Sequence, residues 1–165
     1  GNFLIKRVVF EIQEELPNIK NFGTLSPIPG FRDWFMSLDE KLVKNILGNI
    51  PLENISFLKS SSLKIGDTRI LSNKNAIYKL VAHYLMNEKN QKQLPINDVC
   101  RFHLGNGAII DDIVINANIS EVGFNRSFGV MVNYLYELKN IEKNHEEYIN
   151  NKTIIVSNKV KKLIQ

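Results

Sequence analysis

A chain of 165 residues, 44% apolar and 23% charged, is about one domain long and carries enough apolar side chains for a core, and its interleaved charges exclude a disordered polar tract. Its formal charge of +4, with a pI near 9.1, admits an anionic ligand or nucleic acid and selects neither. Cys100 is the single cysteine, which excludes an internal disulfide and points to a reducing compartment; no apolar run reaches membrane-spanning length, no secretory signal pattern opens the sequence, and Leu163-Ile164-Gln165 is not a peroxisomal address.

The first predicted element is an amphipathic helix over 3–16, with Ile5, Val8, Val9, Ile12 and Leu16 on one stripe, Asn2 as N-cap and Pro17 as the stop. Residues 22–25 suit a short buried strand, which ends at Ser26-Pro27-Ile28-Pro29-Gly30, where two prolines and a glycine fix an irregular backbone. A helical stretch follows over 31–47 and breaks near Gly48 and Pro51. Residues 53–69 carry little pattern, and Lys59-Ser60-Ser61-Ser62 reads as a surface loop. A clear helix over 73–88 places Ile77, Leu80, Val81, Tyr84 and Leu85 on one face, and a polar connection over 87–95 follows. Residues 108–115 read as a strand, residues 128–138 as a helix, and Ser157 as the cap of a last helix ending near Ile164. The pattern predicts a mixed α/β or α+β domain, richer in helix than strand. Two short strands do not make a stable sheet, so further strands are expected from sequence upstream.

Two residues stand out chemically. Ser26 lies where a buried strand meets a rigid Pro-Ile-Pro-Gly turn, a setting that fixes a hydroxyl as a catalytic or binding group requires. His103, in Arg101-Phe102-His103-Leu104-Gly105-Asn106-Gly107-Ala108, sits beside a glycine-containing turn at the mouth of a strand, and imidazole is the side chain best matched to proton transfer near neutral pH. Taken singly, each residue fits a plain structural role: a turn start for Ser26, a bond to the adjacent turn for His103. His83 lies within a helix and His145 in a polar run, and both read as structural or solvent-facing. Three histidines and one cysteine lack zinc-ligand spacing, and neither a Walker loop nor a Gly-x-Gly-x-x-Gly fingerprint occurs. A Ser-His-carboxylate hydrolase with Asp111 or Asp112 as third member is formally open, but Ser26 lacks the Gly-x-Ser-x-Gly elbow.

Four segments, taken together, carry a family resemblance. Leu25-Ser26-Pro27-Ile28-Pro29-Gly30-Phe31 resembles the serine segment of malonyl-CoA decarboxylases, and Phe102-His103-Leu104-Gly105-Asn106-Gly107-Ala108 resembles their histidine segment. Met131-Val132-Asn133-Tyr134-Leu135-Tyr136 is similar to a third signature, and the opening Gly1-Asn2-Phe3-Leu4-Ile5-Lys6-Arg7-Val8-Val9 resembles the family as well. All stand in the family's order and at family-like separations. The resemblance implies an enzyme that converts malonyl-CoA to acetyl-CoA and carbon dioxide, in fatty acid and malonate metabolism, without metal or organic cofactor.

It also implies a catalytic domain similar to the GNAT acetyltransferases. Residues 1–165 would be the later part of that domain, with its first part and an N-terminal helical domain absent. Gly1 and Asn2 would close the CoA-binding loop, ahead of a helix whose N-terminus faces the pyrophosphate. His103 would donate a proton to the nascent carbanion, and Ser26 would contact the malonyl carboxylate and is described as proton acceptor; Asn133, Tyr134 and Tyr136 either line the pocket or pack the core. Ile115 and Asn118 stand where the family pattern has tryptophan and aspartate. The implied partners are malonyl-CoA and acetyl-CoA, with no nucleic acid and no membrane, and self-association through a full-length protein is left open. The implied compartment is bacterial cytoplasm, or mitochondria or peroxisomes in a eukaryote. Two other readings fit the same residues: a GNAT-type acyltransferase using an amine acceptor, and a catalytically silent CoA-binding fragment.

Overall fold

The structure, a computed structural model, describes residues 4–165, so Gly1 and Asn2, expected in the loop and the cap, lie outside the described residues. Helix α1 (Leu4–Glu15) buries Val9 and rests Ile5 on the core. Strand β1 (Asn21–Pro27) runs further than the expected 22–25 and carries Ser26 within it. The extension tolerates Pro27 because β1 is an edge strand and Pro27 is its last residue, where a missing N–H costs little. Gly30, at φ 84°, then turns the chain into α2 (Phe31–Ser37); a Cβ there would come within 2.9 Å of the Tyr84 hydroxyl.

The single helix expected over 31–47 is two. Leu38 is extended and the Asp39 carboxylate accepts from the Leu42 N–H at 2.7 Å, capping α3 (Glu40–Leu47). The weakly patterned stretch that follows folds as α4 (Glu53–Ser56), a 3-10 turn over Phe57–Lys59, and α5 (Thr68–Ser72), capped by Asp67. The long helix α6 (Lys74–Met86) buries the predicted stripe Ile77, Leu80, Val81, Tyr84 and Leu85. Next come α7 (Asp98–Gly105), β2 (Ile109–Val114), α8 (Glu121–Ser127), β3 (Met131–Glu137), α9 (Ile141–Asn151) and α10 (Asn158–Leu163). Ser157 caps α10 as expected, accepting from the Val160 N–H at 3.1 Å.

The main correction falls on 128–138, read as a helix and folded as strand β3. Val130, Met131, Tyr134, Leu135 and Leu138 fit a helical stripe, but the burial alternates with period two: Val132, Tyr134 and Tyr136 are buried, their neighbours half-buried. Aromatic and β-branched residues at alternate positions are the composition of a strand, and the sheet decides between the two periods. A third strand thus comes from within the chain itself. It takes the centre of an antiparallel sheet of order β1-β3-β2, paired with β1 from Asn21↔Glu137 to Pro27↔Met131. The outer edge of β2 is covered by the segment before α10, through the Ile110 N–H to the Ile155 carbonyl (3.0 Å) and the Ser157 N–H to the Ile110 carbonyl (2.9 Å).

Behind this sheet, α2 packs on α6 and α8, and α3 packs on α6. Phe128 forms the centre of an aromatic cluster, edge-on to Phe31, Phe35 and Phe124 with ring centres 5.9–6.2 Å apart. The architecture is the mixed α/β, helix-rich fold expected from the sequence, with a small three-stranded sheet.

Candidate active site

Register places the site. Residues directly paired in an antiparallel sheet share a face, so Phe22/Tyr136, Thr24/Tyr134 and Ser26/Val132 form one row on one side of β1 and β3. Over this row stands His103, in the last turn of α7, beside the glycine-containing turn that leads into β2. Both Ser26 and His103 are buried, each 6% exposed.

The side chains form a chain of hydrogen bonds. Ser26 Oγ is 3.0 Å from His103 Nε2, and His103 Nδ1 is 2.6 Å from Tyr136 Oη. Ser26 also donates to Thr24 Oγ1 at 3.1 Å. The Tyr134 ring lies flat against the imidazole, centres 4.3 Å apart and planes at 16°, while Phe102 meets it edge-on at 5.2 Å. The imidazole is therefore held at both nitrogens and on one face, which is the rigid placement a proton-transfer group needs. Burial pushes the His103 pKa down to about 4, so the resting ring is neutral at physiological pH. Burial also raises the pKa values of the Tyr134 and Tyr136 hydroxyls and pushes the Cys100 thiol up to about 12, so all three stay protonated.

A second layer fixes the distance between the two elements that carry the pair. Asn97, which is buried, caps α7 by accepting from the Cys100 N–H at 2.8 Å and donates from Nδ2 to the Pro29 carbonyl at 2.9 Å. Tyr84 Oη donates to the same carbonyl at 3.2 Å. The turn that follows the serine-bearing strand is thus tied directly to the N-terminus of the histidine-bearing helix. At the other end of α7, His145 Nδ1 lies 2.6 Å from the Gly105 carbonyl. Gly107, at φ 87°, makes the turn into β2 and lies so close to α9 that a Cβ would sit 2.3 Å from the Ile141 carbonyl oxygen.

Of the residues singled out in the sequence, the structure brings together Ser26, His103, Tyr134 and Tyr136. Asn133 points to the opposite face of the sheet, donating to Asp111 at 3.1 Å and packing over Gly23. Asp112 pairs with Lys159. Neither aspartate faces the imidazole, whose Nδ1 partner is a tyrosine, so the arrangement is not a Ser-His-carboxylate triad. His83 stacks on Trp34 and lies 3.3 Å from Glu88, away from this row. Thr24 and Asn97 went unremarked in the sequence. Thr24 carries a recognisable signal, since it precedes Ser26 by two in a strand and so shares its face. Asn97 shows the N-cap pattern before an apolar run.

A family profile described as the malonyl-CoA decarboxylase C-terminal domain matches residues 1–165, the whole chain. The chain belongs to the malonyl-CoA decarboxylase family. It is 33% identical to the mitochondrial malonyl-CoA decarboxylase of Mus musculus over 99% of its length, and 35% identical to that of Anser anser anser over 97%. Among solved structures it superposes on the malonyl-CoA decarboxylase from Cupriavidus metallidurans with a TM-score of 0.81 at 34% identity, covering 99% of this chain and 43% of that one. For the enzyme from Agrobacterium vitis the TM-score is again 0.81, at 33% identity, covering 100% and 40%. The chain spans 37% of the mouse relative and 35% of the goose relative.

The two departures from the family pattern have plain structural places in this decarboxylase-family chain. Ile115 packs against the core, and the Asn118 side chain accepts from the Ser120 N–H (3.1 Å) and hydroxyl (2.6 Å) while resting on Gly123. Asn118 thereby orders the turn that starts α8.

Proposed function

We propose that this chain carries the substrate-handling serine–histidine pair of a malonyl-CoA decarboxylase, which converts malonyl-CoA to acetyl-CoA and carbon dioxide. The observation that carries the reading is the 3.0 Å contact between Ser26 and His103, 77 residues apart in sequence and joined in one buried row. Family membership supports this choice of substrate, and the geometry is suited to the chemistry.

Loss of carbon dioxide moves the electron pair of the breaking C–C bond into the thioester, giving an enolate that must take up one proton at carbon. In the free protein His103 is neutral. A malonyl carboxylate brought beside it would favour the imidazolium, since an opposite charge at close range stabilises the charged form. Once the carboxylate departs as carbon dioxide, the same imidazolium faces the carbanion and gives up its proton. Ser26 acts by positioning: its hydroxyl is a poor base, but on turning its hydrogen from Thr24 to the bound substrate it would anchor a carboxylate oxygen. The thioester carbonyl provides the electron sink, so the reaction should need neither metal nor organic cofactor, and activity is expected to survive exhaustive treatment with a chelator. The bacterial cytoplasm or, in a eukaryote, mitochondria or peroxisomes would supply the substrate.

The test is a product assay. Malonyl-CoA alone should yield acetyl-CoA and carbon dioxide in equal amounts. Acyl transfer that appears only when an amine acceptor is added would favour the acyltransferase reading, and calorimetric binding of acetyl-CoA without turnover would favour a silent CoA-binding fragment.

A further inference from the structure

From the hydrogen-bond directions around Ser26 we infer that Thr24 is a positioning residue that sets the tautomer of His103, keeping the proton on Nε2. The inference rests on the reading of His103 as proton donor and adds the residue that orients it. A serine hydroxyl has one hydrogen to give, and the geometry at Ser26 gives it to Thr24 Oγ1 at 3.1 Å. Ser26 therefore has no proton left for the imidazole, and its 3.0 Å contact with Nε2 requires Nε2 to be the donor. In a neutral ring Nδ1 is then bare. Its 2.6 Å contact with Tyr136 requires the tyrosine hydroxyl to donate, and burial keeps that hydroxyl protonated.

One polarity results, running from Tyr136 O–H to Nδ1, from Nε2–H to Ser26 Oγ, and from Ser26 O–H to Thr24. Each contact has one hydrogen. Without an acceptor at position 24, the Ser26 hydrogen would turn to Nε2 and the ring would carry its proton on Nδ1, facing away from the serine side. The arrangement also suits the charged ring. When Nδ1 takes up a proton only the Tyr136 hydroxyl must turn, while the Nε2, Ser26 and Thr24 contacts stay as they are. Thr24 holds its place because it pairs with Tyr134 across the strands, and the Tyr134 ring lies flat under the imidazole.

The experiment is a 15N NMR spectrum of the histidine-labelled protein near pH 7.5, with the His103 signals identified by their loss in His103→Gln. Wild type should show a pyrrole-like Nε2 and a pyridine-like Nδ1. Thr24→Val, which keeps the shape and removes the acceptor, should move the population toward the Nδ1–H form, and Thr24→Ser should restore it. In the activity assay Thr24→Val should lose roughly tenfold in kcat with little change in KM, the cost of about one hydrogen bond. A wild-type ring protonated on Nδ1 would overturn the inference, as would an unchanged tautomer in a folded Thr24→Val protein. The wild-type spectrum is decisive even if the variant fails to fold. Because it needs no substrate, it tells failure of this inference apart from failure of the decarboxylase reading.

Discussion

His103 is 6% exposed and has a hydrogen-bond partner at each ring nitrogen, a serine on one side and a tyrosine on the other. Replacing Tyr136 by phenylalanine leaves the ring buried with Nδ1 unpartnered, a cost of about 1–3 kcal/mol for an unsatisfied buried group. If the cost falls on the transition state, kcat should drop by roughly 10- to 100-fold, with KM changing less. Steady-state kinetics of Tyr136→Phe check this. The imidazole also makes stability depend on pH. Its pKa lies at about 4 in the folded chain, below the ordinary 6.5, so between these values the unfolded chain binds a proton that the folded chain does not. The contribution is fully present above pH 6.5 and is lost as the pH falls toward 4. The difference is worth about 3 kcal/mol. Urea denaturation at pH 7 and pH 4 should therefore show a fall in wild type that His103→Gln lacks by about that amount.

At the scale of elements, the site depends on how α7 is held against the turn after β1. Asn97 serves both: its side chain caps the helix and bonds the Pro29 carbonyl. Asn97→Ala should cost about 1–3 kcal/mol from the lost cap and the lost buried bond, and should reduce turnover because Ser26 and His103 are then tied less firmly. Equilibrium unfolding and kinetics measured on the same preparation separate the two effects. This arrangement also explains what could be read from the chain beforehand. The helix α6 and the Ser157 cap were legible because a long amphipathic stripe and a serine before a helix have local causes. Strand β3 was not, since its apolar residues satisfy both a helical and an alternating period over so few positions, and only pairing with β1 and β2 on both sides decides. Helix α7 was hidden by two glycines at its C-terminal end, Gly105 within its last turn and Gly107 just beyond, which drew attention to the turn and not to the short helix before it. Ser26 and His103 were legible as a pair through the family's segments, whereas the bond from Asn97 to the Pro29 carbonyl arises only from a contact across the fold.

The whole molecule is organised around one apolar cluster behind a small sheet, with the buried polar row on the sheet itself. Phe128 sits at the centre of that cluster in the left-handed region at φ 54°, closing α8 and filling the space between Phe31, Phe35 and Phe124. Phe128→Ala should lose about 3–5 kcal/mol by emptying that space, visible as a lower denaturation midpoint. The relatives that share this fold are about two and a half times as long as this chain. In the proposed mechanism the chemistry converges on two side chains. The measurement that tests this most directly is the rate of acetyl-CoA formation from malonyl-CoA by wild type, Ser26→Ala and His103→Ala, each confirmed as folded. A general acid contributes typically about 10²–10⁴-fold, so His103→Ala should fall by at least about 100-fold, and Ser26→Ala, which loses the hydroxyl that positions the carboxylate, by at least roughly tenfold. Wild-type turnover in both variants would contradict the assignment of Ser26 and His103 as the reacting pair.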